Sequence, residues 1–297
     1  METKNNSSRS NGSMETLILG VCQVRVTADK SANIENGVRA VREAAARGST
    51  LVVLPEMFVC PYATDVFADY AEPLGTGPTC RALAAVARET ACFVVGGSFP
   101  ERGADGRVFN TCPVFGPDGA LLAAHRKVHL FDVDVPGAGG VRFRESDTLA
   151  PGGACTTFDT PWGRVGVGIC FDVRFAELTL AMAARGCALL VFPGAFNMCT
   201  GPAHWELLLR ARAVDAQAFV AGVAPARDAS DTSRYVSWAH STVVDPWGTV
   251  LHCSQVVDNV NDIFTVELHK NKVSQVRTSI PILNNKRHDL YHLTWKD

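Results

Sequence analysis

The stretch "RVGVGICFDVRFAELTLAMAARGCALLVFPG" (164–194) reads as strand, helix and strand in succession. "RVGVGIC" (164–170) and "CALLVFPG" (187–194) are short apolar runs of the kind that strands covered on both faces carry. "RFAELTLAMAARG" (174–186) between them reads as a helix. A strand, a crossover helix and a second strand in this order form a parallel pair, which makes the fold class α/β.

The same alternation runs outward in both directions. "TLILGVCQV" (16–24) opens it, followed by a helical "NIENGVRAVREAAARG" (33–48) in which Ile34, Val38, Val41 and Ala45 keep helical spacing and Gly48 supplies the stop. "TLVVLPE" (50–56) is a buried strand, residues 77–91 a helix and "CFVVGGSF" (92–99) a strand. Past the central unit, 202–218 reads as a helix and 219–226 as a strand. Two stretches read instead as β-hairpins: 110–127 turns at Pro117, Asp118 and Gly119, and 240–254 turns at Asp245, Pro246, Trp247 and Gly248. "IFTVEL" (263–268) is expected to pair beside the second hairpin. Crossovers and hairpins together predict mixed sheets with helices over their faces. No linker or charge block divides the chain, so one domain is expected over 14–297, behind a disordered polar tail, "METKNNSSRSNGS" (1–13).

Composition narrows the function. The chain has 297 residues, 47% of them apolar, and a formal charge of -2, which gives room for a large core and no support for a nucleic-acid surface. No apolar stretch is long enough to span a bilayer, and the tail lacks the apolar segment of a secretory signal. A cytoplasmic or mitochondrial location is therefore expected, with the thiols reduced. The ten cysteines are dispersed and include no C-x-x-C, and His125 and His129 in "HRKVH" have no acidic or Cys partner at a recognised spacing. No metal site is expected. Gly166 and Gly168 lack the third glycine of a dinucleotide-binding turn.

Three buried strands end in chemically capable side chains: Glu56 after "TLVVLP", Lys127 after the first hairpin, and Cys170 after "RVGVGI". Ligand sites in α/β sheets form beyond the carboxyl ends of strands. A cysteine at a strand-to-helix turn also sits near a helix N-terminus, whose dipole favours thiolate. A nucleophilic thiol, a carboxylate to move its proton and an ammonium to stabilise an oxyanion are together the parts of an acyl-transfer site. Spacing alone leaves open whether the three converge, and whether Cys170 is a nucleophile or one more buried thiol.

A resemblance carries the reading further. "LPEMF" (54–58), "HRKVHLFDVDVPG" (125–137), "GVGICFDVRFAEL" (166–178) and "VFPGAFN" (191–197) resemble the motifs of the carbon-nitrogen hydrolase (nitrilase) superfamily. "PYATDVFADYAE" (61–72), "RESDTLAPG" (144–152), "TGPAHWELLLRARAVD" (200–215), "APARD" (224–228) and "YVSWAHSTVVDPWG" (235–248) resemble its ω-amidase branch. The likeness runs from about residue 16 to 292, with "RDASDTSRYV" (227–236) somewhat long and "SQVVDNVND" (254–262) poorly matched. It implies an α-β-β-α sandwich that dimerises, across helices 174–186 and 202–218, into an α-β-β-α-α-β-β-α assembly.

The resemblance also implies roles. Glu56 is the general base, Lys127 the oxyanion stabiliser, Cys170 the nucleophile, and Glu145 an additional glutamate that positions the lysine and substrate. The backbone N–H of Phe171, where the branch commonly has Tyr, is the second oxyanion donor. Arg174 is the candidate for gripping a substrate carboxylate, against a salt bridge to Asp172 or Glu177 as the plain structural reading. Phe196, Thr200 and Tyr62 line the same pocket by resemblance. The implied activity is hydrolysis of the terminal amide of α-ketoglutaramate or α-ketosuccinamate through a thioester, without cofactor. Within the same superfamily, an N-carbamoyl-β-alanine amidohydrolase or another aliphatic amidase is the alternative. A scaffold protein that kept only the fold would lack one of the four catalytic positions, and all four are present.

Overall fold

The computed structural model describes residues 14–137, 140–230, 234–257 and 259–294; the tail expected to be disordered lies outside them. In chain order the first half holds β1 (Thr16–Gln23), α1 (Lys30–Ala46), β2 (Leu51–Val53), α2 (Phe67–Tyr70), α3 (Pro78–Thr90), β3 (Phe93–Val95), β4 (Phe99–Arg102), β5 (Val108–Phe115), β6 (Leu121–Arg126), β7 (Asp132–Val135) and β8 (Val141–Arg144). The second half holds β9 (Thr156–Asp159), β10 (Arg164–Val167), α4 (Ala176–Ala184), β11 (Cys187–Pro193), α5 (Thr200–Ala216), β12 (Phe219–Val223), β13 (Thr242–Val244), β14 (Val250–Cys253), β15 (Asp262–His269) and α6 (Lys270–Ser279). Local chemistry sets the helix ends. Asp29 caps α1 by accepting from the Ala32 N–H at 3.0 Å, and Pro78 opens α3, where its missing N–H costs nothing.

Two mixed sheets result. One runs β15-β1-β2-β3-β5-β4, with β6 also on β5, and the other β14-β13-β12-β11-β10-β9. Each has a parallel centre, β1-β2-β3 and β10-β11-β12, flanked by antiparallel strands. Side-chain alternation then builds the layers. Leu17, Leu19, Val21, Leu51 and Val53 share one core with Val165, Val167, Leu189 and Val191 of the other sheet. Cys22, Val52 and Val94 face the opposite way, onto Ala40, Val41 and Ala44 of α1 and Leu83 and Val86 of α3. On the second sheet's outer face α5 packs so closely over β12 that a Cβ on Gly222 would come within 2.6 Å of Leu209 and Trp205. The order of layers is α-β-β-α, as the resemblance implies.

Both hairpins form where the sequence places them, as β5–β6 and β13–β14. "IFTVEL" does not join the second one. As part of β15 it pairs antiparallel with all of β1, from Thr16 opposite His269 to Gln23 opposite Asp262. The buried β1 needs a partner at its free edge for eight residues of backbone, whereas the four-residue β14 is largely exposed. The β7–β8 ribbon and α6 are not anticipated by the sequence reading; both are short, polar and mostly exposed. Among the described residues no helix is long and apolar enough to cross a membrane.

One buried side chain ties the two sheets at the end of β1. Gln23 Nε2 donates to Ser254 Oγ at 3.2 Å and to the Val256 carbonyl at 2.6 Å, and its Oε1 accepts from the Ser241 N–H and hydroxyl, both at 3.0 Å. Replacing it with a similar-sized apolar residue strands these groups without water. Gln23→Leu is expected to lower the unfolding free energy by about 2 kcal/mol in urea titrations, with an unchanged m-value.

Candidate active site

The sequence places Glu56, Lys127, Glu145 and Cys170 far apart; the fold brings them together and takes all four out of water. Glu56 lies just past β2, Lys127 directly after β6 and Cys170 just past β10, and Glu145 opens a single 3-10 turn after β8. Lys127 Nζ lies 2.9 Å from Glu56 Oε1 and 3.0 Å from Glu145 Oε1. The Tyr62 hydroxyl donates to Glu145 Oε1 at 2.7 Å and the Phe131 N–H to Glu145 Oε2 at 2.7 Å. Glu56 is surrounded by donors: Lys127 Nζ and Asn110 Nδ2 on Oε1, the latter at 2.8 Å, and the Ala195 N–H at 2.8 Å on Oε2, with the Cys170 thiol facing it. A carboxylate with donors on every side is held as an acceptor, in its ionised form.

Burial alone would strip the proton from Lys127, but Glu145 and Glu56 raise its pKa above the usual lysine value. Burial likewise raises Glu56, with Glu145 adding to the rise and Lys127 opposing it. The Cys170 thiol is pushed well up by burial and by the facing Glu56 carboxylate, against the pull of Lys127. This corrects the expectation of a thiolate at a helix N-terminus. The residues after Cys170 form a short 3-10 turn, Cys170–Arg174, before α4 begins at Ala176, so the thiol does not sit at the N-terminus of an α-helix.

Cys170 itself has φ +48°, a left-handed conformation that costs a non-glycine residue energy and so needs support. Asp172 supplies it. Its buried carboxylate accepts from the Ile169 N–H at 2.9 Å, His125 Nε2 at 2.9 Å, and the His129 N–H and Nδ1 at 3.0 and 2.8 Å. Burial would raise this carboxyl, yet the hydrogen bonds from His125 and His129 hold it well below the usual range. Gly194 lets the end of β11 pass beneath: a Cβ there would sit 2.9 Å from the Trp205 ring and 3.4 Å from Cys170 Cα.

Beside the thiol lies a narrow crevice lined by Cys170, Phe171, Arg174, Phe196 and Thr200, with Phe131 and Tyr235. The first hydrogen bond of the 3-10 turn runs from the Asp172 N–H to the Ile169 carbonyl, so the Phe171 N–H is among the donors that such a turn leaves unpaired at its start. Arg174 is half-buried, its guanidinium 4.9 Å from the Phe196 ring centre and 5.7 Å from that of Phe171. Among the described residues no carboxylate pairs with it; its polar neighbour is His204 Nδ1 at 3.3 Å, and Asp172 is committed to the two histidines. Thr200 turns its hydroxyl to Asn197 Oδ1 at 3.1 Å. Tyr62 is outside this cavity, with its hydroxyl on Glu145 and Lys127. The sequence reading missed Asn110, Ala195, Tyr235 and the Asp172–His125–His129 cluster. A signal for Asn110 exists: it is a polar residue within "VFNTCPVF", a strand buried along its whole length.

Against known proteins, the family model described as carbon-nitrogen hydrolase matches residues 18–278. The chain is 52% identical to omega-amidase NIT2 of Mus musculus over 278 residues, 94% of this chain and 98% of that one. It is 48% identical to omega-amidase NIT2 of Homo sapiens, over 95% and 99% of the two chains. Among solved structures, Nit3 of Saccharomyces cerevisiae, described as a member of branch 10 of the nitrilase superfamily, matches with a TM-score of 0.82 at 35% identity, covering 92% of this chain and 97% of that one.

Asp172→Asn removes the charge that His125 and His129 share. It is expected to lower stability by roughly 3 kcal/mol in denaturant titrations at neutral pH. With its pKa depressed by folding, Asp172 contributes stability above the unfolded carboxylate pKa of about 3.9 and loses it as pH falls from there through the lower folded value. The gap between wild type and variant should therefore close in acid.

Proposed function

The chain belongs to the carbon-nitrogen hydrolase family, a hydrolase of amide C–N bonds, and from that premise we propose that it is an ω-amidase with Cys170 as nucleophile. The observation that carries the reading is one crevice bordered by the Cys170 thiol, which faces Glu56, and by an Arg174 guanidinium that pairs with no carboxylate among the described residues. A substrate with an amide at one end and a carboxylate at the other matches that pair of groups. α-Ketoglutaramate and α-ketosuccinamate have this form, and their products are α-ketoglutarate and oxaloacetate with ammonia.

In the proposed reaction the Cys170 sulfur attacks the amide carbon as Glu56 accepts the thiol proton. The oxyanion faces the Lys127 ammonium and the Phe171 N–H. Glu56 returns the proton to the amide nitrogen, the C–N bond breaks, and ammonia leaves a thioester on Cys170. Glu56 then takes a proton from water, whose hydroxide attacks the thioester; the acid departs and the sulfur regains its proton. Glu145 and Tyr62 hold Lys127 in place, while Arg174 holds the far carboxylate. All ten cysteines are free, which supports a cytoplasmic or mitochondrial setting. A homodimer across α4 and α5 is supported by the exposure of Leu207 and Val214 on α5.

Cys170→Ala should abolish ammonia release from α-ketoglutaramate, a loss on the order of 10⁴-fold or more in kcat; undiminished release would end the assignment. In a substrate panel the two keto-acid amides should exceed glutamine and asparagine, and a preference for glutamine would overturn the substrate class. Arg174→Met should raise KM for α-ketoglutaramate roughly 30-fold or more while sparing a neutral amide such as butyramide.

Glu56 accepts protons only when ionised, and folding raises its pKa. Activity is therefore lost as pH falls through a value above the ordinary glutamate pKa of about 4.3. A kcat/KM profile with its acid limb at or below that value would contradict Glu56 as the base.

A further inference from the structure

Tyr235 is the one described residue that borders three neighbouring cavities. It lines the narrow crevice beside Cys170 and Arg174. It also lines a cavity of about 190 Å³ that runs past Glu56, Ala195 and Asp228, and an outer one of about 530 Å³ beside Arg142 and Phe143. The other aromatic walls of the Cys170 cavity, Phe131, Phe171 and Phe196, border none of the larger two. Tyr235 is also pinned. Its hydroxyl donates to the Ala195 carbonyl, and its ring centre lies 4.7 Å from that of Tyr62 and 5.5 Å from that of Phe143. Swinging it aside gives up a hydrogen bond and two ring contacts together.

We infer that Tyr235 is a specificity-determining wall, whose ring closes the Cys170 cavity toward the larger cavities and caps the length of the acyl chain between the attacked amide and the carboxylate at Arg174. The inference rests on the ω-amidase reading. With Arg174 fixing one end and Cys170 the other, a longer chain has to bow outward. Phe131, Phe171 and Phe196 border neither of the two larger cavities, whereas Tyr235 stands between the crevice and both of them. A wall of this kind discriminates single methylene groups by roughly 10- to 200-fold.

The test is kcat/KM for ammonia release from the monoamides of succinic, glutaric, adipic and pimelic acids. Wild type should fall at least about tenfold from glutaramate to adipamate. Tyr235→Leu, which removes the ring, should raise the adipamate-to-glutaramate ratio about tenfold or more. Tyr235→Trp, which enlarges the wall, should instead lower the glutaramate-to-succinamate ratio. Tyr235→Phe keeps the ring but loses the hydroxyl's bond to the Ala195 carbonyl, so its ratios should lie between those of wild type and Tyr235→Leu; a shift with Phe larger than with Leu would assign the effect to the hydroxyl and overturn the wall. Unchanged ratios in Leu and Trp together would also overturn it. Should Tyr235→Leu fail to fold, inhibition of the wild type by C4 to C8 dicarboxylates decides: affinity falling beyond five carbons supports the wall, and affinity flat with length refutes it. If the wild type hydrolyses none of the monoamides nor α-ketoglutaramate, the ω-amidase reading itself fails, an outcome distinct from altered ratios.

Discussion

The rest of the site depends on one buried ammonium shared by two carboxylates. Lys127 sits between Glu56 and Glu145 with none of the three exposed to water. Removing such groups from solvent costs several kcal/mol per ion, so the arrangement persists only where further donors complete each carboxylate. Asn110, the Ala195 N–H, the Phe131 N–H and the Tyr62 hydroxyl do this. Those donors come from both sheets and the loops between them. The two-sheet sandwich is what lets a strand end on one side, such as Glu56 after β2, meet a backbone N–H on the other, Ala195 after β11.

A second buried charge fixes distance rather than chemistry. His125 and His129 flank Lys127 in sequence, and both bind the Asp172 carboxylate two residues beyond Cys170. The segment carrying the ammonium is thereby tied to the turn carrying the thiol. Asp172 also caps that turn through the Ile169 N–H, next to the left-handed Cys170. A tie of this kind keeps the proposed nucleophile and the proposed oxyanion donor at a set separation, which is the part of catalysis that prepaid positioning supplies.

What local pattern encodes was legible in the chain, and what long-range pairing encodes was not. The strand-helix-strand unit around Cys170, both hairpins, and Glu56, Lys127 and Cys170 at strand ends all follow from apolar runs and turn residues a few positions apart. The partner of 263–268 does not, because an apolar strand carries no mark of which free edge it joins. Glu145 reads locally as a solvated loop charge, and its burial under Tyr62 and Phe131 arises only when β7 and β8 fold over the site. His125 and His129 carry no local sign of their role, because their shared partner is a carboxylate more than forty residues away. Asp172 is ordinary in sequence for the same reason.

The charge count explains why a protonated thiol suits this site. A resting thiolate would add a third anion to the buried Glu56 and Glu145, which share the single ammonium of Lys127. A neutral thiol hydrogen-bonded to Glu56 avoids that. During the proposed attack the proton passes to Glu56 as negative charge develops on the substrate oxygen, so the total charge of the cluster stays constant. Charge moves from one carboxylate to an oxyanion facing the same Lys127 ammonium that had been paired with that carboxylate. The buried lysine therefore loses one anionic partner as it gains another, and little of the surrounding structure has to reorganise. Depressing the thiol pKa would forfeit this exchange, which is why burial of Cys170 beside Glu56 serves the chemistry better than a helix dipole would.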